Sequence, residues 1–134
     1  MEKIEHIGIA VSDLEASNKL FAALFGQAHY KMEEVAAEGV STSFFKMGES
    51  KIELLEATNP DSPIAKFIAK KGEGIHHIAY LVKDIKAEMR RLANEGFTLL
   101  SEEPKLGADN KLVCFLHPKT TNGVLIELCQ EREI

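Results

Sequence analysis

Apolar and polar residues alternate, or apolar residues form short runs, along most of the chain, and only a few stretches show a helical period. The run Ile4–Val11 is apolar and rich in β-branched side chains, which predicts a strand. Phe21 and Phe25 recur four residues apart, as do the leucines that precede them, and this spacing predicts a helix. Short strands are predicted next at about residues 29–35, 41–47 and 51–57.

Local signals predict where this first helix begins and ends. Ser12 followed by Glu15 resembles a capping box, in which the serine side chain accepts a hydrogen bond from a free backbone amide. Gly26 follows the last apolar pair and is expected to end the helix, because glycine readily adopts the left-handed conformation found there.

The same order of elements returns in the second half of the chain. A strand-like run starts at Ile75, and Ile85, Met89 and Leu92 then share one helical face before Gly96. Three further strands are predicted at about residues 97–102, 111–117 and 124–130. Both halves therefore follow the plan strand, helix, three strands.

Residue identities repeat together with the pattern. His6 and His77 are 71 residues apart, and Glu53 and Glu127 are 74 residues apart. The three extra residues fall in the longer turn Pro118–Gly123. Two further pairs keep the separation of 71 residues: Asp13 with Asp84, and Phe44 with Phe115. Because there are only two copies, a pseudo-symmetric domain fits this repeat better than a solenoid.

A short helix is predicted between the two copies. Ser62 is placed to cap it, Pro63 takes its first position, and Gly72 ends it. The predicted fold class is α+β, with two tandem βαβββ modules at about residues 1–58 and 75–131 and a linker helix at about 62–71. The curved sheets of the two modules are expected to pack into one pseudo-symmetric open barrel, so that residues 1–134 form a single domain.

Composition narrows the classes of function. The 45% apolar and 28% charged fractions are those of an ordinary globular protein, and the net charge of −5 argues against non-specific nucleic-acid binding. No apolar run approaches the roughly 20 residues that span a bilayer, and the N-terminus does not resemble a signal peptide. Cys114 and Cys129 lie in strand-like runs without metal-type spacing, which predicts buried free thiols in a reducing cytoplasm.

Strand alternation and the repeat together select four candidate metal ligands. Each histidine lies on the first strand of its module and each glutamate on the last, so two-fold symmetry would bring the four side chains together. Imidazole and carboxylate groups suit zinc, cobalt, nickel, manganese or iron. The alternative for a single histidine in an apolar strand is a hydrogen-bonded core residue. Because the repeat places the same residue types at equivalent positions twice, we predict a metal site at His6, Glu53, His77 and Glu127.

The remaining histidines lack repeat partners. Alternation places His76 on the opposite face of its strand from His77, and the repeat pairs His77 with His6. His29 and His117 are therefore expected to have surface or turn roles.

Two segments are distinctive: His76-His77-Ile78-Ala79, and the run from Phe115 to Lys119 that leads into Gly123-Val124-Leu125-Ile126-Glu127-Leu128. Both resemble segments of the methylmalonyl-CoA epimerases, which belong to the vicinal-oxygen-chelate, glyoxalase-like superfamily. Residues 61–66 and 102–107 are similar too, so the likeness covers nearly the whole chain.

This resemblance implies a specific reaction. It inverts the carbon between the thioester and the carboxylate of methylmalonyl-CoA, by proton removal on one face and return on the other, through a metal-stabilised enolate. The implied cofactor is one divalent metal, with cobalt favoured and zinc, nickel or manganese as alternatives. The resemblance also implies that Glu127 both binds this metal and serves as one acid/base, that the substrate is an acyl-CoA, and that the chain forms a homodimer.

The chain departs from some epimerases at two positions. Thr42 stands where several relatives place a second catalytic glutamate, and threonine is a poor base near neutral pH. Glu53 stands where some relatives carry a glutamine ligand, so Glu53 is the candidate for the opposite-face proton transfer, directly or through a bound water. Lys105 and Lys119 could meet the phosphates or the carboxylate of a CoA substrate, or could be solvated turn residues.

Two other functions fit the same superfamily. One is a glyoxalase-like, metal-dependent lyase acting on a thiol adduct, and the other is a metal-free ligand-binding protein. An iron dioxygenase fits less well, because such sites use two histidines and one carboxylate, and a fourth protein ligand leaves less room for oxygen and substrate.

Overall fold

The computed structural model describes residues 1–133 and contains both predicted βαβββ modules, so the α+β class is confirmed. The chain divides into two compact units. One comprises His6–His76, and the other joins Met1–Glu5 to the described residues from His77 onward. None of the helices within residues 1–133 combines the length and the apolarity that crossing a bilayer requires.

The unit His6–His76 contains four strands. β1 (Lys3–Ala10) enters it, followed by α1 (Leu14–Phe25), β2 (Lys31–Val35), β3 (Val40–Met47), β4 (Ser50–Ala57) and the linker helix α2 (Pro63–Lys71). The strands lie in the order β2-β3-β4-β1, with β1 parallel to β4 and the other neighbours antiparallel. The predicted linker helix is confirmed, since the Ser62 hydroxyl accepts from the Ile64 amide at 3.1 Å and Gly72 closes the last turn.

The other unit repeats this topology. β5 (Gly74–Leu81) leads into it and is followed by α3 (Ile85–Asn94), β6 (Lys105–Leu106), β7 (Lys111–Leu116) and β8 (Ile126–Glu131). Its strand order is β5-β8-β7-β6, with β5 parallel to β8. The first and last strands of each module are therefore neighbours.

Each four-stranded array has two different faces. One face is covered by a helix: Phe45 and Leu54 pack with Leu14 under α1, and Leu116 and Leu128 pack under α3. The opposite face carries the histidine and glutamate side chains of each unit and is called the His/Glu face below. In the unit His6–His76, α2 covers one end of the His/Glu face, where its residue Ile64 packs with Ala10, Val40 and Leu55.

Both predicted cysteine environments are confirmed. Cys114 and Cys129 are free thiols, each 1% exposed or less. The Cys129 sulfur donates to the Tyr80 carbonyl at 3.5 Å, so this thiol is part of the packed interior.

The strand predicted at 97–102 is wrong. Leu99 makes a single bridge with Leu116, and the paired strand β6 follows only at Lys105–Leu106. The hydroxyl of Ser101 donates to the Glu103 carbonyl at 2.8 Å, which bends the chain, and Pro104 has no amide with which to continue a ladder. The apolar alternation is present, but this local turn chemistry interrupts the pairing.

The predicted start of α1 is wrong by one residue. Asp13, and not Ser12, has the extended conformation of a cap, and its carboxylate accepts from the Ala16 amide at 3.1 Å. The Ser12 amide instead donates to Glu73 at 2.8 Å. Aspartate is an equally good cap, and its negative charge also favours the positive end of the helix dipole. The repeat contained this signal, because Asp84 caps α3 in the same way.

Each helix start is also joined to the last strand of its module. The Leu14 amide donates to Glu56 in β4 at 2.6 Å, and the Ile85 amide donates to Gln130 in β8 at 2.8 Å. Glu56 and Gln130 each follow the glutamate of the predicted site by three residues. In each module, the side chain three residues after the site glutamate thus completes the cap of the helix that covers the opposite face of the strands.

We predict that Asp13→Ala lowers the free energy of unfolding by about 1 kcal/mol, because the Ala16 amide loses its partner and the helix start loses a favourable negative charge. Ser12→Ala is the matched control and is expected to change stability little, since only its backbone amide is used. Chemical denaturation of the two variants measures the difference. Equal losses in both variants would contradict the assignment of the cap to Asp13.

Candidate active site

The unit His6–His76 holds one buried histidine–glutamate pair. His6 comes from β1 and Glu53 from β4, and their exposures are 6% and 4%. The His6 Nδ1 atom lies 3.1 Å from a Glu53 carboxylate oxygen. The parallel register, which aligns Gly8 with Glu53, places both side chains on the same face.

The other unit holds an equivalent pair. His77 comes from β5 and Glu127 from β8, with exposures of 5% and 6%. The His77 Nε2 atom lies 2.9 Å from a Glu127 carboxylate oxygen. All four predicted site residues are therefore buried, and within each unit the structure brings histidine and glutamate into contact.

The surroundings of the two glutamates also repeat. A small residue stands opposite each glutamate on the histidine-bearing strand, Gly8 opposite Glu53 and Ala79 opposite Glu127. On the other neighbouring strand the opposite residue is a phenylalanine: Phe44 opposite Glu53, and Phe115 opposite Glu127. Each glutamate thus has a small residue opposite it on one neighbouring strand and a phenylalanine opposite it on the other.

Aromatic rings and lysines complete each environment. The His77 ring meets Phe115 edge to face, with centroids 5.8 Å apart. Lys105 lies with its ammonium 5.9 Å from the Phe115 centroid, and Lys31 lies 4.6 Å from the Phe44 centroid. Both distances are within the range of cation–π attraction. The structure therefore places predicted Lys105 beside Phe115, the residue opposite Glu127, and it adds Lys31, which the sequence analysis missed.

Predicted Lys119 has a different position. It is exposed in the turn after β7, and its backbone amide donates to the His117 Nδ1 atom at 3.0 Å. The turn role predicted for His117 is thereby confirmed.

The other histidines lie outside these pairs. His76 packs edge to face on Phe67 of α2, with centroids 5.0 Å apart, while His29 packs on Phe45 at 5.9 Å. Strand alternation and the repeat selected His77 rather than His76 as a site residue. In the structure, His77 contacts the buried carboxylate of Glu127 and His76 packs on Phe67.

Thr42 is a buried polar residue of the His/Glu face. It lies in β3 next to Phe44, is only 1% exposed, and its hydroxyl has no hydrogen-bond partner within the described residues. The position that corresponds to Thr42 in the other unit, 71 residues later, is Val113. Sequence reasoning identified Thr42 as a departure from relatives, but only the structure shows that its hydroxyl is buried without a partner.

A family model describes residues 5–115 as a member of the glyoxalase/bleomycin resistance protein/dioxygenase superfamily. This match covers most of the chain and includes both histidines and the first glutamate of the candidate site. It ends at Phe115, before Glu127.

Comparison with named proteins gives near-complete matches. An ethylmalonyl-CoA/methylmalonyl-CoA epimerase of Cereibacter sphaeroides is 43% identical over 96% of this chain and 97% of its own length. The mitochondrial methylmalonyl-CoA epimerase of Homo sapiens is 41% identical over 96% of this chain and 73% of its own length. A variant of the Streptomyces coelicolor methylmalonyl-CoA epimerase, solved with 2-nitronate-propionyl-CoA, matches with a TM-score of 0.95 at 36% identity, covering 100% and 97% of the two chains.

Proposed function

The chain is an epimerase of the methylmalonyl-CoA epimerase family, within the glyoxalase/bleomycin resistance protein/dioxygenase superfamily, and we propose that its substrate is methylmalonyl-CoA. The observation that carries this proposal is the buried histidine–glutamate pair, present once in each unit. The two pairs together supply two carboxylates in equivalent surroundings. Inversion of a carbon needs two such groups, one for each face.

The chemistry assigns one task to each glutamate. The carbon to be inverted lies between a thioester and a carboxylate, so loss of its proton leaves an enolate with the charge on the thioester oxygen. In our proposal one glutamate removes the proton and the other, already protonated, returns a proton to the opposite face. Glu127 serves one face and Glu53 the other, and the roles reverse for the reverse reaction.

The four site residues fit a divalent metal. Two imidazoles and two carboxylates are nitrogen and oxygen donors of the kind that such ions prefer, and two carboxylates balance the charge of the ion. All four side chains are nearly fully buried, where a carboxylate is costly unless it is paired or bound to a metal. We propose that His6, Glu53, His77 and Glu127 hold one ion, cobalt in the first place, with zinc, nickel or manganese as alternatives. When bound, the metal would supply Lewis-acid stabilisation of the negative charge that develops on the substrate.

Hydrogen exchange in heavy water tests the proposal. We expect the wild-type chain to incorporate deuterium at the α-carbon of methylmalonyl-CoA while inverting it, and we expect a chelator to stop both processes. Mass spectrometry measures the incorporated deuterium, and chiral analysis measures the inversion. Ethylmalonyl-CoA, which appears in the name of the Cereibacter relative, is the comparison substrate.

The possible outcomes separate the parts of the proposal. No exchange with either substrate would contradict the substrate assignment. Exchange that survives removal of all metal, verified by elemental analysis, would contradict the metal site and leave the two-glutamate mechanism in place. One bound ion for each chain is the stoichiometry expected if the four residues form a single site.

We also propose that the enzyme acts in the cytoplasm as a homodimer. Two buried free thiols suit a reducing compartment. Leu20 and Leu24, one turn apart on α1, are 66% and 69% exposed, and a second copy of the chain could cover such an apolar pair. Sedimentation equilibrium of the full chain distinguishes a dimer from a monomer.

A further inference from the structure

Thr42 is placed to act on Glu53. It stands in β3 opposite Leu55 of β4, so Glu53 is its diagonal neighbour on the same face. Diagonal neighbours in an antiparallel pair are about 7–8 Å apart at their backbones. Once the two side chains have extended from the strands, one water molecule making two hydrogen bonds of roughly 2.8 Å can span the space between them.

Among the described residues, the Thr42 hydroxyl has no hydrogen-bond partner that would account for its burial. Its oxygen makes no hydrogen bond within residues 1–133, although the residue is only 1% exposed. Two other buried oxygens in that range share this property, those of Ser43 and Asn18, and they lie on the α1 side of the array. A buried hydroxyl without a partner is unfavourable, so a water or a substrate atom is its natural partner.

The unit that contains Val113 shows that the fold does not require a hydroxyl at this position. Val113 occupies the equivalent position at 5% exposure and packs with Ala79 and Cys129. Valine and threonine have nearly the same shape, so the apolar side chain would fill the position of Thr42 without a buried polar atom. Leu55, directly across from Thr42, packs with Val40 under α2, so the polar neighbour on β4 is Glu53.

We propose that Thr42 is a positioning residue whose hydroxyl holds a water molecule against the Glu53 carboxylate, and that this water relays the proton between Glu53 and the substrate. This inference rests on the proposed function. As the α C–H bond breaks, its proton passes to the water oxygen and the water gives one of its protons to Glu53. The electron pair of the broken bond remains on the substrate as the enolate. In the opposite direction Glu53 returns the proton through the same water.

The test compares Thr42→Val with Thr42→Ser, using each stereoisomer of methylmalonyl-CoA separately in heavy water. Thr42→Val is expected to slow inversion by about 10- to 100-fold, part of the roughly 10²–10⁴-fold that acid–base catalysis contributes. The isomer whose proton faces Glu127 should still exchange that proton at the wild-type rate without inverting. For the other isomer, exchange and inversion should both be slow. Thr42→Ser keeps the hydroxyl and should restore both rates.

Two controls separate a proton relay from a structural role. Ser43→Ala removes the neighbouring buried hydroxyl on the α1 side and should leave exchange and inversion unchanged. Thr42→Val should keep the wild-type metal content and a thermal midpoint at least as high as that of the wild type. Thr42→Ala, which also lacks the hydroxyl, should show the same difference between the two isomers.

Two results would overturn the inference. One is wild-type inversion by Thr42→Val, and the other is an equal loss of exchange for both isomers in the two variants that lack the hydroxyl. Failure of the proposed function gives a different result, because the wild-type chain would then exchange neither isomer of methylmalonyl-CoA.

Discussion

Replacing Glu127 by glutamine is expected to slow the inversion of methylmalonyl-CoA by about 10²–10⁴-fold, the contribution of a positioned acid–base group. The amide keeps the size of the side chain and can still donate to or accept from His77, but it cannot take a proton from carbon. The variant should therefore remain folded. Inversion is measured with each stereoisomer in heavy water.

The matching variant Glu53→Gln should give the complementary result. If the two glutamates serve opposite faces, each variant should retain exchange of the isomer whose proton faces the remaining carboxylate. Glu131→Gln, an exposed position farther along β8, is the control that should leave the rates unchanged. Near-normal inversion by Glu53→Gln with full metal content would remove Glu53 from proton transfer.

Replacing His77 by alanine is expected to leave less than about one tenth of the wild-type metal content, because one of the four proposed ligands of the metal is lost. Before any metal binds, Glu127 also loses its partner at 2.9 Å, and leaving one member of a buried hydrogen-bonded pair without its partner costs about 1–3 kcal/mol. Elemental analysis and chemical denaturation measure the two effects. Epimerase activity should fall together with the metal content.

His76→Ala is the control on the neighbouring residue. His76 packs on Phe67, so its loss should cost only about 0.5–1.5 kcal/mol and leave the metal content unchanged. If the two variants lost metal and stability equally, His77 would have no special role. In the unit His6–His76, the metal content and stability of His6→Ala can be measured in the same way, since His6 lies 3.1 Å from its partner Glu53.

The sequence predicted most of the fold because the same pattern occurs twice. A single histidine in an apolar strand is ambiguous, but two copies at the same place in two modules located His6 and His77, and the final strands located Glu53 and Glu127. The structure has these residues as two buried pairs. Alternation placed His76 and His77 on opposite faces of one strand, and the repeat then selected His77 as the equivalent of His6.

The errors came from features that the period of apolar residues does not encode. Ser12 and Asp13 are both good caps, and only the repeat, through Asp84 at the start of α3, distinguishes Asp13 from Ser12. The stretch 97–102 alternates like a strand, but a side chain hydrogen bond and Pro104 interrupt its pairing. Lys31 was missed because its relation to Phe44 depends on which strands are neighbours. The buried hydroxyl of Thr42 likewise depends on atoms from three strands.

The side chains that join each helix start to a site strand affect how the enzyme can open. Leu14 is held by Glu56 and Ile85 by Gln130, three residues beyond Glu53 and Glu127 respectively. Fraying of the first turn of either helix would therefore release a contact on the strand that carries a proposed catalytic carboxylate. Through these contacts, local opening of a helix start on one face of the strands would reach the glutamate on the other face.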